Sequence, residues 1–219
     1  LFPYTTLFRS PAAAGDRVLD VGAGVGAATL CLAARVPGAD VTGLELQPGL
    51  AALGAENVRA NGLEDRVRIL EGDLLAPPEE LARTAFDRVM TNPPFQEAGT
   101  HTPPPDGSRA LAHGEGAADL AAWLDFCARR VKPRGTLTVI HRADRLDDLI
   151  SLLRGRFGGI TLVPLWPKAG RPARRIVVTA RKGARSPARL MPGLVLHEAD
   201  GGFTGAAQAI LRDGAALDL

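Results

Sequence analysis

Val18-Leu-Asp-Val-Gly-Ala-Gly-Val-Gly26 is the stretch of this 219-residue chain that decides its fold. Its apolar residues are typical of a buried strand, and its three glycines allow a tight turn that brings backbone close to a ligand. Asp20 stands two residues before the first glycine, and the spacing Gly-x-Gly-x-Gly differs from the dinucleotide pattern. We therefore predict a strand, a ligand-binding turn and a helix through about Arg35.

The rest of the chain alternates strand-like runs with helical stretches, which predicts a parallel sheet with helices on both faces. Seven strands are predicted, at 17–21, 40–46, 66–71, 85–91, 135–141, 160–165 and 174–180. Helices are predicted after the glycine turn and at 48–61, 117–131 and 144–154. The fold class is α/β: a Rossmann-like, seven-stranded, mostly parallel sheet. Residues 96–114 are predicted to form a loop, and residues 183–219 a weakly periodic tail.

Composition limits the class of protein. The chain is 46% hydrophobic and 23% charged, as in globular domains, and its length suits one α/β domain. No apolar run approaches the roughly 18 residues of a membrane span, so none is expected. Cys31 and Cys127 lie in apolar helical patterns and are expected to be buried thiols. No Cys or His spacing indicates a metal site, so no metal is expected.

The first ten residues, Leu1-Phe-Pro-Tyr-Thr-Thr-Leu-Phe-Arg-Ser10, contrast with the rest of the chain. They contain its single tyrosine and two of its seven phenylalanines, and they show no signal-peptide pattern. They also resemble the translation of a common sequencing adapter. We interpret residues 1–10 as an adapter-derived scar. Residues 11–219 are then expected to form a single domain that has lost native N-terminal sequence.

Charge is distributed unevenly along the chain. Residues 129–189 hold 16 Lys and Arg against 3 Asp and Glu, although the net charge of the whole chain is only +2. Such a basic segment predicts a polyanionic partner. Lys168, Arg171, Arg174 and Arg175 surround the turn between the last two predicted strands and are the candidate RNA-binding residues. The alternative is that arginine-rich composition reflects a GC-rich genome.

Acidic residues stand at the carboxyl ends of the first three predicted strands. Asp20 lies at the end of the first strand, Glu45 ends the second, and Asp73 follows the third within Glu71-Gly-Asp-Leu74. Ligands of open α/β sheets bind outside these ends. Glu45 is placed to accept hydrogen bonds from two ribose hydroxyls, and Asp73 from the amino group of a base.

Asn92-Pro-Pro-Phe95 follows the fourth predicted strand, at the same edge of the sheet. The Asn92 amide and the Pro93 carbonyl offer two acceptors for the N–H groups of a planar amine or amide. Prolines fix φ and so orient both acceptors in advance. Phe95 offers a ring face on which an extruded base can stack. With the glycine turn upstream, this box indicates S-adenosylmethionine-dependent N-methylation.

Several segments together resemble the bacterial tRNA1(Val) (adenine-37-N6)-methyltransferases: Arg17–Gly26, Asn92–Phe95, Ala112-His-Gly-Glu115, and a tail from Gly193 to Asp213. The resemblance implies a class I methyltransferase fold, S-adenosyl-L-methionine as the donor, and the tRNA adenosine next to the anticodon as the substrate. It also implies a cytoplasmic protein, expected to be a monomer.

The resemblance extends to the donor pocket. It implies that Gly22, Gly24 and Gly26 pack against the adenosyl and methionine parts of the donor, with Leu74 nearby. Asp20 would reach the donor's amino group, directly or through water. Because the catalytic box specifies chemistry rather than substrate, rRNA or DNA adenine and protein glutamine remain open as targets. The chain could also be an inactive fragment or a non-catalytic RNA-binding scaffold.

Overall fold

The protein is described by a computed structural model that covers residues 11–94 and 118–212, with Ala215 and Leu217. The described strands are β1 Arg17–Val21, β2 Asp40–Glu45, β3 Val67–Glu71, β4 Phe86–Thr91, β5 Val131–Arg142, β6 Phe157–Lys168, β7 Arg175–Lys182, β8 Arg189–Leu190 and β9 Leu194–His197. The described α-helices are α1 Ala27–Arg35, α2 Pro48–Ala60, α3 Glu79–Ala82, α4 Leu120–Arg130, α5 Leu146–Leu153 and α6 Gly205–Leu211. A 3-10 turn at Ala143–Arg145 leads into α5.

These strands form one sheet in the order β3-β2-β1-β4-β5-β7-β6-β8, and β9 also pairs with β6. Strands β1 to β5 are parallel to one another, whereas β7 runs antiparallel to β5 and β6. The predicted α/β class is confirmed, and all seven predicted strands are present. The order reverses between β1 and β4, which makes this pair the switch point of the sheet.

The prediction of only seven strands was wrong in the tail. Residues expected to be weakly periodic form β8, β9 and α6. Strand β8 has two residues and β9 has four, too few to show an alternating pattern, and both form by pairing with β6. Strand β5 also begins at Val131 rather than residue 135, because the chain passes directly from α4 into the sheet.

Two apolar clusters cover the two faces of the sheet. Leu19, Val139 and Leu149 belong to one cluster, with α4 and α5. Val18 and Ile140 belong to the other, with α1, α2 and α6. Adjacent strand residues therefore point to opposite faces, as the pleat requires. Both faces of the sheet are covered.

The two cysteines differ in exposure. Cys127 is buried, and burial raises the pKa of its thiol, which makes it unreactive. The expectation that Cys31 is buried was wrong. Cys31 is exposed because its neighbours Leu32 and Ala33 form the buried side of α1.

Several sequence predictions fall outside the described residues: the scar at 1–10, the loop at 96–114, Phe95 and Ala112–Glu115. Within the described ranges, none of the helices has the length and hydropathy needed to cross a membrane.

Gly43 in β2 tests the packing beneath the glycine turn. An added Cβ there would lie 2.8 Å from the Cβ of Ala23 and 2.5 Å from the Ile69 Cδ1. We expect Gly43→Ala to lower the free energy of unfolding by about 1–3 kcal/mol through overpacking. Gly49→Ala is the control, because no described atom lies within 4 Å of its added Cβ. Urea unfolding that gives equal midpoints for both variants would contradict this account.

Candidate active site

The carboxyl ends of β1 and β4 lie side by side at the switch point. Val21, the last residue of β1, pairs with Thr91, the last residue of β4. The glycine turn leaves β1 here, and Asn92 leaves β4. The two motifs, some seventy residues apart in the chain, are therefore adjacent in space, at the place where open α/β sheets bind ligands.

The glycine turn has the backbone conformation that its sequence predicts. Gly22, Gly24 and Gly26 have φ values of 78°, 56° and 83°, a left-handed region that side chains disfavour. The N–H of Gly22 donates to the Leu44 carbonyl at 2.9 Å, which fixes the turn against β2. Gly26 caps α1, and none of the described atoms lies within 4 Å of an added Cβ at Gly24. This part of the turn thus leaves space for a ligand to approach.

Asp20 lies beneath this turn and is only 2% exposed. The Thr29 hydroxyl, on the first turn of α1, donates a hydrogen bond to Asp20 Oδ2 at 2.7 Å. Burial is the main cause that raises the Asp20 pKa from 3.8 to about 6, and the nearby Glu45 adds to it. The site therefore concentrates negative charge beneath the turn and favours a cationic ligand group.

Glu45 ends β2, as predicted, and holds two loops together. Its Oε2 accepts from the Gly24 N–H at 2.8 Å, and its Oε1 accepts from the Gln47 N–H at 2.9 Å. The residue is 6% exposed. Glu45 thus links the glycine turn to the start of α2, in addition to any contact with a ligand.

Asp73 and Leu74 lie just beyond β3, and both are half-buried. Asp73 Oδ1 accepts a hydrogen bond from the Leu75 N–H at 2.9 Å, which shapes the chain after the strand. Asp20 is the last residue but one of β1, Glu45 is the last of β2, and Asp73 comes two residues after β3. These strands are parallel neighbours, so the three acids form a row along one edge of the sheet.

A hydrogen-bonded chain joins the Asn92 box to the glycine turn. The indole Nε1 of Trp123, in α4, donates to the Thr91 hydroxyl at 2.6 Å, and that hydroxyl donates to the Val21 carbonyl at 2.8 Å. The Trp123 ring also packs on Gly22, where an added Cβ would lie 3.0 Å from Cζ2. The residues just before the two motifs are thereby held together by one helix. Pro93 is buried, while Asn92 is half-buried.

Sequence reasoning missed three of these residues: Thr29, Thr91 and Trp123. The sequence could have indicated Thr91, because it directly precedes Asn92. It indicated Thr29 more weakly, through its position on the first helical turn after the glycines. Trp123 had none, because its partner lies 32 residues away.

The basic residues of the β6–β7 hairpin lie at the same edge of the sheet as Asn92. Arg175 begins β7 and pairs with Arg142, at the carboxyl end of β5. Lys168, Arg171 and Arg174 are exposed around the turn. The Lys168 ammonium donates to the Ala199 carbonyl at 2.9 Å, so the hairpin is tied to the segment after β9. At about 4.8 Å per strand, β7 is roughly 10 Å from β4.

Among the residues that the structure covers, no group of three His, Cys, Asp or Glu side chains could hold a metal ion.

Comparison with known proteins shows which proteins this chain resembles. The methyltransferase small domain family matches residues 6–104. A crystal structure from Agrobacterium tumefaciens, described as a predicted O-methyltransferase, superposes with a TM-score of 0.78 at 23% identity and covers 97% of each chain. That likeness concerns the fold alone. Residues 6–104 are thus similar to the methyltransferase small domain family, and the described sheet shares the fold of that crystal structure.

The chain is also similar to the tRNA1(Val) (adenine(37)-N6)-methyltransferases, as its motifs predicted. The protein of that name from Porphyromonas gingivalis is 35% identical over 133 residues, which are 60% of this chain and 51% of the relative. The one from Aeromonas salmonicida is 28% identical over 198 residues, 89% of this chain and 80% of the relative. The chain thus spans about half of the first relative's length and four-fifths of the second's.

Asp20→Asn is expected to stabilise the protein. An ordinary carboxyl has a pKa of 3.8 and Asp20 one of about 6. The folded state therefore binds the proton more tightly than the unfolded state does. The contribution of Asp20 to the free energy of unfolding falls as pH rises from 3.8 through about 6. Above that pH the buried charge costs up to about 3 kcal/mol, at 1.36 kcal/mol per pKa unit.

Thermal melts at about pH 5 and pH 8 check this expectation, since these values lie on either side of the raised pKa. The gain from Asp20→Asn should be larger at the higher pH. The control is Asp65→Asn, at an exposed position, which should melt like the wild type at both pH values. A constant difference between Asp20→Asn and the wild type would show that Asp20 does not titrate in this range.

Proposed function

We propose that this chain transfers a methyl group from S-adenosyl-L-methionine to the exocyclic amino group of an adenosine in tRNA, at position 37 next to the anticodon. The observation that carries the proposal is the adjacency of Asn92 to the glycine turn at the β1–β4 switch point. The names of the similar proteins support the tRNA substrate.

The residues of the edge fit the donor. S-adenosyl-L-methionine supplies an electrophilic methyl group on a positively charged sulfur. The positive-φ turn leaves room for its approach at Gly24. The buried Asp20 carboxylate fits its amino group through water, since Asp20 is almost fully covered. Glu45 keeps lone pairs beyond its two backbone contacts, and we assign it the ribose hydroxyls.

The remaining donor contacts follow from the order of the strands. Asp73 and Leu74 come after β3, one strand beyond Glu45, and we assign them to the adenine end. Gly26 caps α1 and so sets where the turn ends. The donor would then lie across the ends of β3, β2 and β1, with its methyl group towards β4.

Asn92 and the Pro93 carbonyl act on the acceptor amine. Its lone pair is conjugated with the ring and is therefore a poor nucleophile. Two hydrogen-bond acceptors on its N–H groups favour a pyramidal nitrogen, whose lone pair can turn towards the donor. Thr91 fixes the preceding backbone through Val21 and Trp123, so both acceptors are oriented before the reaction. Phe95 is assigned to stacking on the base from the sequence alone.

The hairpin residues Lys168, Arg171, Arg174 and Arg175 are assigned to tRNA phosphates. Their position at the carboxyl edge supports this assignment. We further propose that residues 11–219 work as one domain, because β5 pairs with both β4 and β7 and so joins the two halves of the sheet. The protein is expected to act as a monomer in the cytoplasm.

One experiment separates this function from methylation of another target. Four reactions each contain the protein and methyl-labelled S-adenosyl-L-methionine, with total tRNA, rRNA, DNA or protein extract as the substrate. Each product is hydrolysed, and the nucleoside or amino acid that carries the label is identified. N6-methyladenosine from tRNA supports the proposal. Label in rRNA, DNA or glutamine would assign another substrate, and no label in any fraction would contradict methyl transfer.

Asn92→Ala is expected to abolish most transfer while leaving donor binding intact. Losing a preorganised contact to the reacting group costs about 3 kcal/mol, or roughly a hundredfold in kcat. Calorimetry should show an unchanged donor Kd. Asn61→Ala, at the exposed end of α2, is the control. Full turnover by Asn92→Ala would refute the mechanism, and loss of donor binding would place Asn92 in the donor pocket.

Replacing the four hairpin residues Lys168, Arg171, Arg174 and Arg175 by Ala should weaken tRNA binding and flatten its salt dependence, since each phosphate contact releases counterions. Donor binding should not change. The matched control replaces four exposed arginines outside the hairpin: Arg59, Arg83, Arg154 and Arg185. Filter binding at several salt concentrations measures both variants. If the hairpin variant and the control variant bind tRNA with equal affinity, the hairpin residues have no specific role in tRNA binding.

A further inference from the structure

His141 is a buried polar side chain that the proposed function leaves unused. It is 1% exposed, and among the described residues neither of its ring nitrogens has a hydrogen-bond partner. An unsatisfied buried donor or acceptor costs about 1–3 kcal/mol, so its presence calls for an explanation. A ligand that supplies the missing partner would provide one.

Its place in the sheet brings His141 close to Asn92. Thr91 of β4 pairs with Val139 of β5. His141 comes two residues after Val139, near the carboxyl end of β5, and Asn92 and Pro93 follow the last residue of β4 at the same edge of the sheet. Neighbouring strands are about 4.8 Å apart. Since strand residues alternate between faces, His141 shares the face of Val139, where α4 and α5 pack.

The surroundings of His141 keep its ring neutral. Burial is the main cause that lowers its pKa from 6.5 to about 4, and Arg145, Arg175 and Arg142 lower it further, opposed by Asp144. A neutral imidazole has one N–H donor and one acceptor nitrogen. The purine of an adenosine carries acceptor nitrogens in its ring, at N1 and N7 among others. The N–H group of His141 and the ring nitrogens of adenine are therefore complementary as hydrogen-bond donor and acceptors.

We propose that His141 determines specificity in the acceptor pocket by donating a hydrogen bond to a ring nitrogen of the target purine, beside Asn92. This inference rests on the proposed function and deepens it. Asn92 and Pro93 recognise only the amino group, which adenine, cytosine and glutamine share. A hydrogen bond from His141 to N1 or N7 of a purine favours adenine over the glutamine amide, which has no ring nitrogen. The smaller ring of cytosine would place its nitrogens differently relative to His141.

Two variants separate recognition from a purely structural role. His141→Leu replaces a buried polar group by an apolar one, so its melting temperature should equal or exceed that of the wild type. Its kcat/KM for the RNA should nevertheless fall about tenfold, the loss expected for one hydrogen bond, with an unchanged donor Kd. His141→Gln keeps an N–H donor and should recover part of the loss. Unchanged kcat/KM in His141→Leu would overturn the inference.

A substitution in the substrate provides the decisive test. Synthetic anticodon stem-loops carry 1-deazaadenosine or 7-deazaadenosine at the target position, and each removes one ring nitrogen. The kcat/KM of the wild type should be about tenfold lower with one of these two analogues than with the unmodified RNA. His141→Leu should methylate that analogue and the unmodified RNA at equal rates. If His141→Leu instead loses as much as the wild type with both analogues, the inference is overturned and the function stands. A wild type that methylates no adenosine would overturn both.

Discussion

The parallel pairing of β1 with β4 is the constraint on which the rest of the structure depends. It sets the glycine turn and the Asn92 box at one edge, with Val21 opposite Thr91. The strands on the two sides of this pair contribute different residues to the edge. Strands β2 and β3 add Glu45 and Asp73 on one side, and β5 and β7 add His141 and the basic hairpin on the other. The donor and acceptor halves of the proposed reaction thus meet at a single backbone pairing.

Stability and ligand recognition are in conflict at this edge. Asp20 and Glu45 lie close together and are almost fully buried, and the buried His141 ring has no hydrogen-bond partner within the described part of the chain. A protein selected only for stability would replace such groups by apolar ones. Their presence at the carboxyl edge of the sheet, rather than elsewhere, is what a binding site for a charged donor and a polar base requires.

The sequence predicted the central sheet and the row of acids at its edge, because these depend on local patterns. Asp20, Glu45 and Asp73 each follow an apolar run, and strand order in an α/β fold places them together. The predictions failed where structure depends on distant partners. Strand β9 exists because β6 is beside it, and Trp123 matters because Thr91 and Gly22 are within reach. The exposure of Cys31 follows from which side of α1 meets the sheet, which its apolar neighbours left ambiguous.

The long separation between β1 and β4 also governs the order in which the protein can be assembled. The Thr91 hydroxyl and the Val21 carbonyl are 70 residues apart in sequence, so closing this pair requires a large loss of chain entropy before any contact is gained. During synthesis on the ribosome, the glycine turn emerges early, but β4 and α4, which support it, emerge much later. Antiparallel β6 and β7, by contrast, are joined by a short turn and can pair as soon as both are made. The glycine turn therefore precedes, in sequence, the elements that hold it, and it can reach its final form only after α4 has been made.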